Sequence, residues 1–291
     1  MKNEIEIRNY LKYKNHQVQD RYLTNESLLK LDFSKNLKPV GKSVNKLPIF
    51  YLKLGNGPIK ILVWSQMHGN ETTSTRALFD LITFLNIYGS NYLKKISLHV
   101  IPILNPDGAF NYTRTNFNGI DLNRDALVLS QPESILLNEM YHSIKPHFCF
   151  NLHDQRSIYS VSSSKKSSVL SFLSPSVGEM KNDTDSRIKS MKIISSIEKK
   201  LNKLIEGHIS RFKDDYNPNC VGDTFQSLGT PTILFESGQY GLDYVRENTR
   251  NYMCIALINA IKSIASEDYH LNDYNSYYSI PQNEELFFDI L

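Results

Sequence analysis

Short hydrophobic runs alternate with longer amphipathic segments along most of this chain. Apolar runs bounded by glycine, proline or asparagine predict buried strands, and apolar residues three and four positions apart predict helices. The predicted strands are 59–66, 98–104, 148–152 and 231–236, and the predicted helices are 72–88, 131–143, 186–206 and 245–261. This order is typical of a single α/β domain with a mixed, largely parallel central sheet flanked by helices.

The same pattern divides the chain into a main body and two flanking segments. Residues 1–46 are polar and weakly periodic, and we interpret them as an N-terminal lead-in. Residues 47–265 contain the alternating strands and helices of the main domain. Residues 266–291 are rich in acidic and aromatic side chains and contain no lysine or arginine. We expect this C-terminal tail to pack on the body.

Residues 160–176 differ from their surroundings because nine of these seventeen residues are serine. Polar segments of this kind are typical of exposed loops. We therefore expect a solvated excursion with short strand pieces, and the alternative is a lid or rim over a substrate site.

The composition limits the classes of partner. The chain has 41% hydrophobic residues, 22% charged residues and a formal net charge of +3, which gives no reason to expect a nucleic-acid partner. It contains no apolar run of about 18 residues, so no membrane span is expected. Three widely spaced cysteines do not suggest a disulfide framework, and the first residues lack a secretory apolar run. A cytoplasmic location is the simplest expectation.

Candidate metal ligands follow two of the predicted strands. His68 and Glu71 come directly after the first strand, and His153 comes directly after the third. Function in α/β sheets collects at the carboxyl ends of strands, so these side chains are candidates for one site. Two histidines and a glutamate are a recurring catalytic zinc set that leaves a position for water. Glu236 ends another apolar strand, where an unpaired carboxylate would be costly, so we expect positive charge nearby.

One segment points to a known family. Residues 105–124 read NPDGAFNYTRTNFNGIDLNR, and they follow the His-x-x-Glu spacing of residues 68–71. Together with Leu-His-Asp at 152–154 and the glutamate of 234–237, this segment resembles the zinc carboxypeptidases, the M14-type or funnelin-like metallocarboxypeptidases. The resemblance runs in order from about residue 58 to residue 262, and the spacing of its motifs is specific.

The resemblance implies a zinc carboxypeptidase-like fold and a hydrolytic centre. It implies that His68, Glu71 and His153 bind one Zn²⁺ per chain, and that Glu236 is the general base. Zinc lowers the pKa of bound water toward about 7, and a nearby carboxylate can then move the proton. The implied reaction is hydrolysis of a C-terminal peptide or isopeptide bond. A set of two histidines and a glutamate can also bind divalent metals other than zinc.

The resemblance also implies how substrate is held. Arg114 would polarise the scissile carbonyl, and Asn123 and Arg124 would bind the terminal carboxylate of the substrate. A guanidinium matches a carboxylate through two parallel hydrogen bonds, which suits this role. We interpret Asp107 and Asp121 as caps of local turns.

The chain departs from the family in several places. No substrate-contacting tyrosine can be placed, and the candidates Tyr216 and Tyr240 lack matching context. Residues 157–230 align with nothing specific, so the side-chain preference stays open. Asp154 stands where small residues are usual. It would either orient a metal ligand or recognise a cationic substrate group.

Two other functions remain open at this point. An N-acyl amino acid deacylase, as in the aspartoacylase and succinylglutamate desuccinylase branch, uses the same zinc set and also binds a free carboxylate. The Asn-Pro-Asp-Gly turn followed by Arg-x-Asn looks more like the peptidase branch. A non-catalytic binding protein with the same fold is disfavoured because all three ligands and the base are present.

Overall fold

The computed structural model describes residues 10–287 and shows a central eight-stranded sheet with helices on both faces. The strands are β1 (Lys38–Lys42), β2 (Pro48–Leu54), β3 (Ile59–Trp64), β4 (Ile96–Ile101), β5 (Phe148–Asp154), β6 (Tyr159–Val161), β7 (Leu170–Leu173), β8 (Ile209–Arg211), β9 (Thr232–Ser237) and β10 (Asn283–Glu285). The α-helices are α1 (Asn25–Leu29), α2 (Thr73–Tyr88), α3 (Ser90–Leu93), α4 (Pro106–Asn111), α5 (Pro132–Ile144), α6 (Asp185–Leu201), α7 (Val221–Ser227), α8 (Glu247–Ser266) and α9 (Asn275–Tyr278). Short 3₁₀ helices are Asp32–Asn36, Leu122–Arg124 and Asp268–Leu271.

The strand order in the main sheet is β1-β2-β4-β3-β5-β9-β7-β8. The four central strands β4, β3, β5 and β9 are parallel, whereas β2 and β7 join this group in antiparallel fashion. The mixed, largely parallel sheet expected from the sequence is therefore confirmed. Because the central strands are parallel, their carboxyl ends lie along one edge of the sheet.

Both faces of the central strands are buried. In β3, Ile61 and Val63 pack into one hydrophobic core, and Leu62 and Trp64 pack into the core on the opposite face. This explains why the strand is a continuous apolar run rather than an alternating one. Helices α2, α6 and α8 cover the first face, and α5 and α7 lie on the second.

The flanking segments are built into the fold. β1 is the edge strand of the main sheet, and it pairs with β2. The sequence pattern of residues 1–46 did not indicate this strand. In the C-terminal tail, Tyr277 is fully buried and β10 pairs with β6. Residues 1–9 and 288–291, including the tail residues Phe288 and Asp289, lie outside the described part of the chain.

Two local expectations were wrong. The Asn105–Gly108 turn is the start of α4, because the Asn105 side chain caps the helix by accepting from the Gly108 amide at 2.8 Å. The serine-rich stretch is not simply solvated, since five of its serines are buried. Ser168, Ser171 and Ser210 bond to one another through their hydroxyls, which satisfies these polar groups without water.

No helix of residues 10–287 is both long and apolar enough to cross a membrane.

Candidate active site

The sheet topology brings the candidate ligands to one edge. His153 lies near the end of β5, directly opposite Glu236 of β9 in the register of the two strands. His68 and Glu71 lie in the loop that follows β3, the other neighbour of β5. Residues separated by more than 150 positions therefore meet at the carboxyl ends of three adjacent parallel strands.

The loop between β3 and α2 has a constrained backbone. Gln66 is buried and has a φ of 45°, and its side-chain amide donates to the Gly69 carbonyl and to the Leu23 carbonyl, each at 2.9 Å. Gly69 is needed because a Cβ there would stand only 1.9 Å from the main-chain carbon of Gly108. These contacts hold the turn that presents His68.

Three side chains form a group that could hold one metal ion. The candidate ligand atoms of His68, Glu71 and His153 all lie within 4.8 Å of one another. The Nδ1 atoms of His68 and His153 are each 2.8 Å from a different carboxylate oxygen of Glu71. Burial acts to raise the pKa of Glu71, but the two imidazoles outweigh it and hold that pKa below its ordinary value.

The surroundings of this group fit zinc. His68 turns Nδ1 toward the group, while its Nε2 lies 2.9 Å from Oδ1 of Asp121. A carboxylate on the second ring nitrogen is the usual way in which a metal-binding histidine is oriented. Asp121 also accepts from the Asn123 amide at 2.9 Å, so the turn cap expected from the sequence is present and also supports His68. The donor set of two imidazoles and one carboxylate is suited to a catalytic zinc.

Glu236 is the acid beside the group. Its side chain is 8% exposed, and its Oε2 has no hydrogen-bond partner among the described residues. Burial, followed by the negative charges of Glu71 and Asp154, raises the pKa of Glu236 well above its ordinary value. The expected positive charge is present, because Arg114 and Arg246 lower the pKa of Glu236. Their effect is smaller than that of burial and the two carboxylates, so the pKa stays raised. A bound cation would complete this environment.

Arg114 lies at the mouth of the group. Its Nη1 is 3.3 Å from Oε1 of Glu71, and its Nη2 is 3.0 Å from Oδ2 of Asp121. The side chain is 49% exposed, so the guanidinium faces both the metal-binding group and the solvent of the cleft. This is a suitable place for a cation that contacts a substrate oxygen.

A cleft of about 800 Å³ contains the group and the proposed substrate-binding residues. Asn123 and Arg124 line it next to Cys220. The Asn123 side-chain oxygen accepts from the Val221 amide at 3.0 Å, and Arg124 Nη1 donates to the Asn123 carbonyl at 2.7 Å and to Cys220 Sγ at 3.0 Å. The two residues are therefore fixed against the start of α7.

The cleft also contains residues that the sequence did not indicate. Asp223 and Asn151 line it, and burial raises the pKa of Asp223 to about 7. Tyr159 and residues of β10 also line it, whereas neither Tyr216 nor Tyr240 is among the lining residues. Asp223 and Tyr159 belong to residues 157–230, where no motif identified a role.

Fold and site together define an α/β domain with a candidate metal centre at the carboxyl ends of its parallel strands. The zinc carboxypeptidase family model, Peptidase_M14, matches residues 31–182, which is 152 of the 291 residues, and the chain belongs to this family. Among curated relatives, the probable carboxypeptidase 2 of Trichophyton verrucosum is 28% identical over 120 residues, or 38% of this chain and 23% of that protein. Carboxypeptidase SOL1 of Arabidopsis thaliana is 32% identical over 127 residues, or 36% of this chain and 25% of that protein. The chain thus matches about a quarter of the length of these relatives.

Solved structures support the fold over a greater length. Carboxypeptidase A from Helicoverpa armigera superimposes with a TM-score of 0.65 at 15% identity, covering 90% of this chain and 80% of that one. A metallo-carboxypeptidase from Burkholderia cenocepacia gives a TM-score of 0.62 at 14% identity, covering 84% and 68%. These similarities confirm the carboxypeptidase fold that the sequence resemblance implied.

Proposed function

We propose that this protein is a zinc-dependent carboxypeptidase that hydrolyses a C-terminal peptide or isopeptide bond. The observation that carries the proposal is the convergence of His68, Glu71 and His153 in a cleft that also contains Glu236, whose Oε2 has no hydrogen-bond partner among residues 10–287. When bound there, zinc supplies an activated water and a Lewis acid for the scissile carbonyl.

The side chains of the cleft account for the remaining requirements of hydrolysis. Glu236 takes the proton of the attacking water and returns it to the leaving amine. Arg114 donates to the oxygen that becomes negative as the carbonyl is attacked. Glu71 and Asp121 hold its guanidinium toward the metal-binding group in advance of substrate binding.

Asn123 and Arg124 are proposed to bind the free carboxylate of the substrate. Arg124 uses only Nη1 in its contacts with described residues, so its other donors are available for an incoming carboxylate. This selects a substrate by its terminus, which is the property that separates a carboxypeptidase from an endopeptidase.

The extent of the cleft favours peptides over N-acyl amino acids. Its volume is about 800 Å³, and its lining also includes Arg156, Tyr159, Phe212 and Glu285. A substrate with only a small acyl group beyond the scissile bond would fill little of this space. The deacylase function nevertheless shares the same zinc set and carboxylate-binding residues, so the assay must include it.

A substrate panel tests the proposal. Protein of verified zinc content is incubated with tripeptides, their C-terminal amides, and N-acetyl and N-succinyl amino acids. We expect release of the terminal residue from tripeptides, with much slower reaction of the amides. Faster hydrolysis of acyl amino acids than of peptides would establish the deacylase, and zinc-loaded protein inert on all classes would establish a binding function.

A further inference from the structure

Asp154 connects the strand that carries His153 with the segment that carries Glu71. It is the last residue of β5 and directly follows His153, and its side chain is only 3% exposed. Its two carboxylate oxygens accept from the main-chain amides of Thr73 at 2.8 Å and Ser74 at 3.0 Å. These are the first residues of α2, two and three positions after Glu71.

This contact replaces the usual local cap of α2. A helix commonly begins with a side chain that accepts from its first free amides. Thr72 stands at the N-cap of α2, but its side chain makes no capping bond and instead donates to the Arg21 carbonyl. The capping carboxylate therefore comes from a strand about 80 residues away, and it ties α2 to β5.

The main chain of the same residue makes a second connection. The Asp154 amide donates to Oε2 of Glu71 at 3.1 Å, the oxygen that also lies 2.8 Å from His153 Nδ1. Asp154 is thus bonded to the segment after β3 at Glu71 and again at the start of α2. Two such attachments restrict both the position and the rotation of that segment relative to β5.

Neighbouring polar groups extend the connection to the proposed base. The Ser74 hydroxyl donates to the His153 carbonyl at 2.6 Å and contacts the Ser237 hydroxyl at 2.8 Å. Arg246 donates to the Ser237 carbonyl at 2.9 Å, and its Nη1 lies 3.9 Å from Asp154. Arg246 therefore offsets the buried charge of Asp154 and also fixes the residue after Glu236.

The geometry decides between the two roles that the sequence left open for Asp154. A carboxylate that recognised a cationic substrate group would present at least one free oxygen to the cleft. Both oxygens are instead taken by amides of α2, which leaves the carboxylate no oxygen that is not already committed to protein. The substrate-recognition hypothesis for this residue is therefore not supported.

We propose that Asp154 is a positioning residue for the metal centre, holding α2 against β5 so that Glu71 and His153 face one another before the metal arrives. The inference rests on the proposed function only in taking His68, Glu71 and His153 as the metal ligands. It assigns a role to Asp154, for which the sequence left two roles open.

Zinc affinity of the folded protein tests this role. The dissociation constant is measured by competition with a chromogenic chelator for the wild type, Asp154→Ala and Asp154→Asn. Loss of a residue that orients metal ligands typically weakens binding about 10- to 100-fold, which is the effect expected for Asp154→Ala. Asp154→Asn should fall between alanine and wild type, because its amide oxygen can accept only part of the two original bonds.

Asp125→Ala is the matched control. Asp125 is also buried and accepts from two main-chain amides, those of Ser130 and Gln131, each at 3.0 Å, but it contacts none of the three ligands. We expect both alanine variants to lower the unfolding temperature of the metal-free protein, and only Asp154→Ala to weaken zinc binding. Excess zinc should restore the turnover of Asp154→Ala, which a general loss of stability would not produce.

Two results would overturn the inference. One is a folded Asp154→Ala protein that binds zinc as tightly as the wild type. The other, which decides the matter if the alanine variant does not fold, is an Asp154→Asn protein of unchanged zinc affinity. Wild-type protein that binds no zinc would instead reject the metal centre itself, so the two failures are distinguishable.

Discussion

Replacing Glu236 by glutamine isolates the role of the proposed base. Glutamine keeps the size and shape of the side chain but cannot accept a proton from water. The structure offers no substitute, since Glu71 is engaged by both imidazoles and Asp154 by the amides of α2. Glu236 itself has an oxygen with no partner among the described residues, so the substitution breaks no bond to that atom.

The size of the effect follows from this isolation. General acid–base catalysis contributes about 10²- to 10⁴-fold, and each factor of ten corresponds to about 1.4 kcal/mol of activation free energy. Because Glu71 and Asp154, the two carboxylates whose charges act on Glu236, are both engaged, we expect a loss in kcat of about 10³-fold or more, equivalent to about 4 kcal/mol. Zinc content should not change, since Glu236 is not among the three clustered ligands.

The stability of the metal-free protein provides an independent readout. The pKa of Glu236 is higher in the folded than in the unfolded protein, because burial disfavours its charge. As pH rises above the unfolded pKa, the unfolded chain loses this proton first, and the wild type is destabilised by up to about 1.4 kcal/mol per pH unit until the folded pKa is reached. Glu236→Gln lacks this loss and should be more stable than wild type at neutral pH.

The assay compares kcat, zinc content and denaturant unfolding for wild type and Glu236→Gln. A conservative partner variant, Glu236→Asp, should retain part of the activity because it keeps a carboxylate near the same place. Near-normal turnover by zinc-loaded Glu236→Gln would refute the assignment of the base. Loss of zinc together with activity would instead make Glu236 a metal ligand.

Three further predictions concern substrate binding, pH and packing. Arg124→Ala should raise KM strongly for peptides with a free terminal carboxylate and little for their amides, and equal effects on both in steady-state kinetics would reject carboxylate binding. In the wild type, the pKa of Asp223 is about 7 in the folded protein and about 4 in the unfolded chain, so the free energy of unfolding falls by up to about 1.4 kcal/mol per pH unit between these values. Asp223→Asn should remove this fall. Plots of unfolding free energy against pH that run parallel for the two proteins would contradict this prediction. Phe225→Ala should lower the free energy of unfolding by about 3–5 kcal/mol. The Phe225 ring stacks on Tyr141 and meets Trp64 edge-on, with ring centroids 4.0 Å and 5.5 Å apart. A cost below about 1 kcal/mol in chemical denaturation would show that the surrounding side chains collapse into the cavity.

The sequence predicted the central strands because they are continuous apolar runs, and it predicted the long helices because their apolar residues recur at helical spacing. The predicted 148–152 strand is β5, and the predicted 72–88 helix is α2 to within one residue. β1 was not recognised, because an edge strand with exposed residues shows no apolar run of this kind. The start of α4 was read as a turn, since Asn-Pro-Asp-Gly favours turns and helix N-termini alike.

The candidate site was predictable where a motif carries the chemistry. The spacing of His68 and Glu71 and the segment ending at Arg124 pointed to one metal centre and one carboxylate-binding place. Asp223 and Arg246 could not be found in this way, because their roles depend on which loops meet at the cleft. Such contacts arise from tertiary structure, and no local sequence pattern records them.

A metal ion held jointly by His68, Glu71 and His153 can be counted. Zinc per chain is determined by elemental analysis after dialysis against buffered zinc, in the wild type and in His153→Ala. We expect one zinc per wild-type chain and much less than one in the variant. Wild-type protein without zinc, or equal zinc in both proteins, would show that these three residues do not form the metal centre.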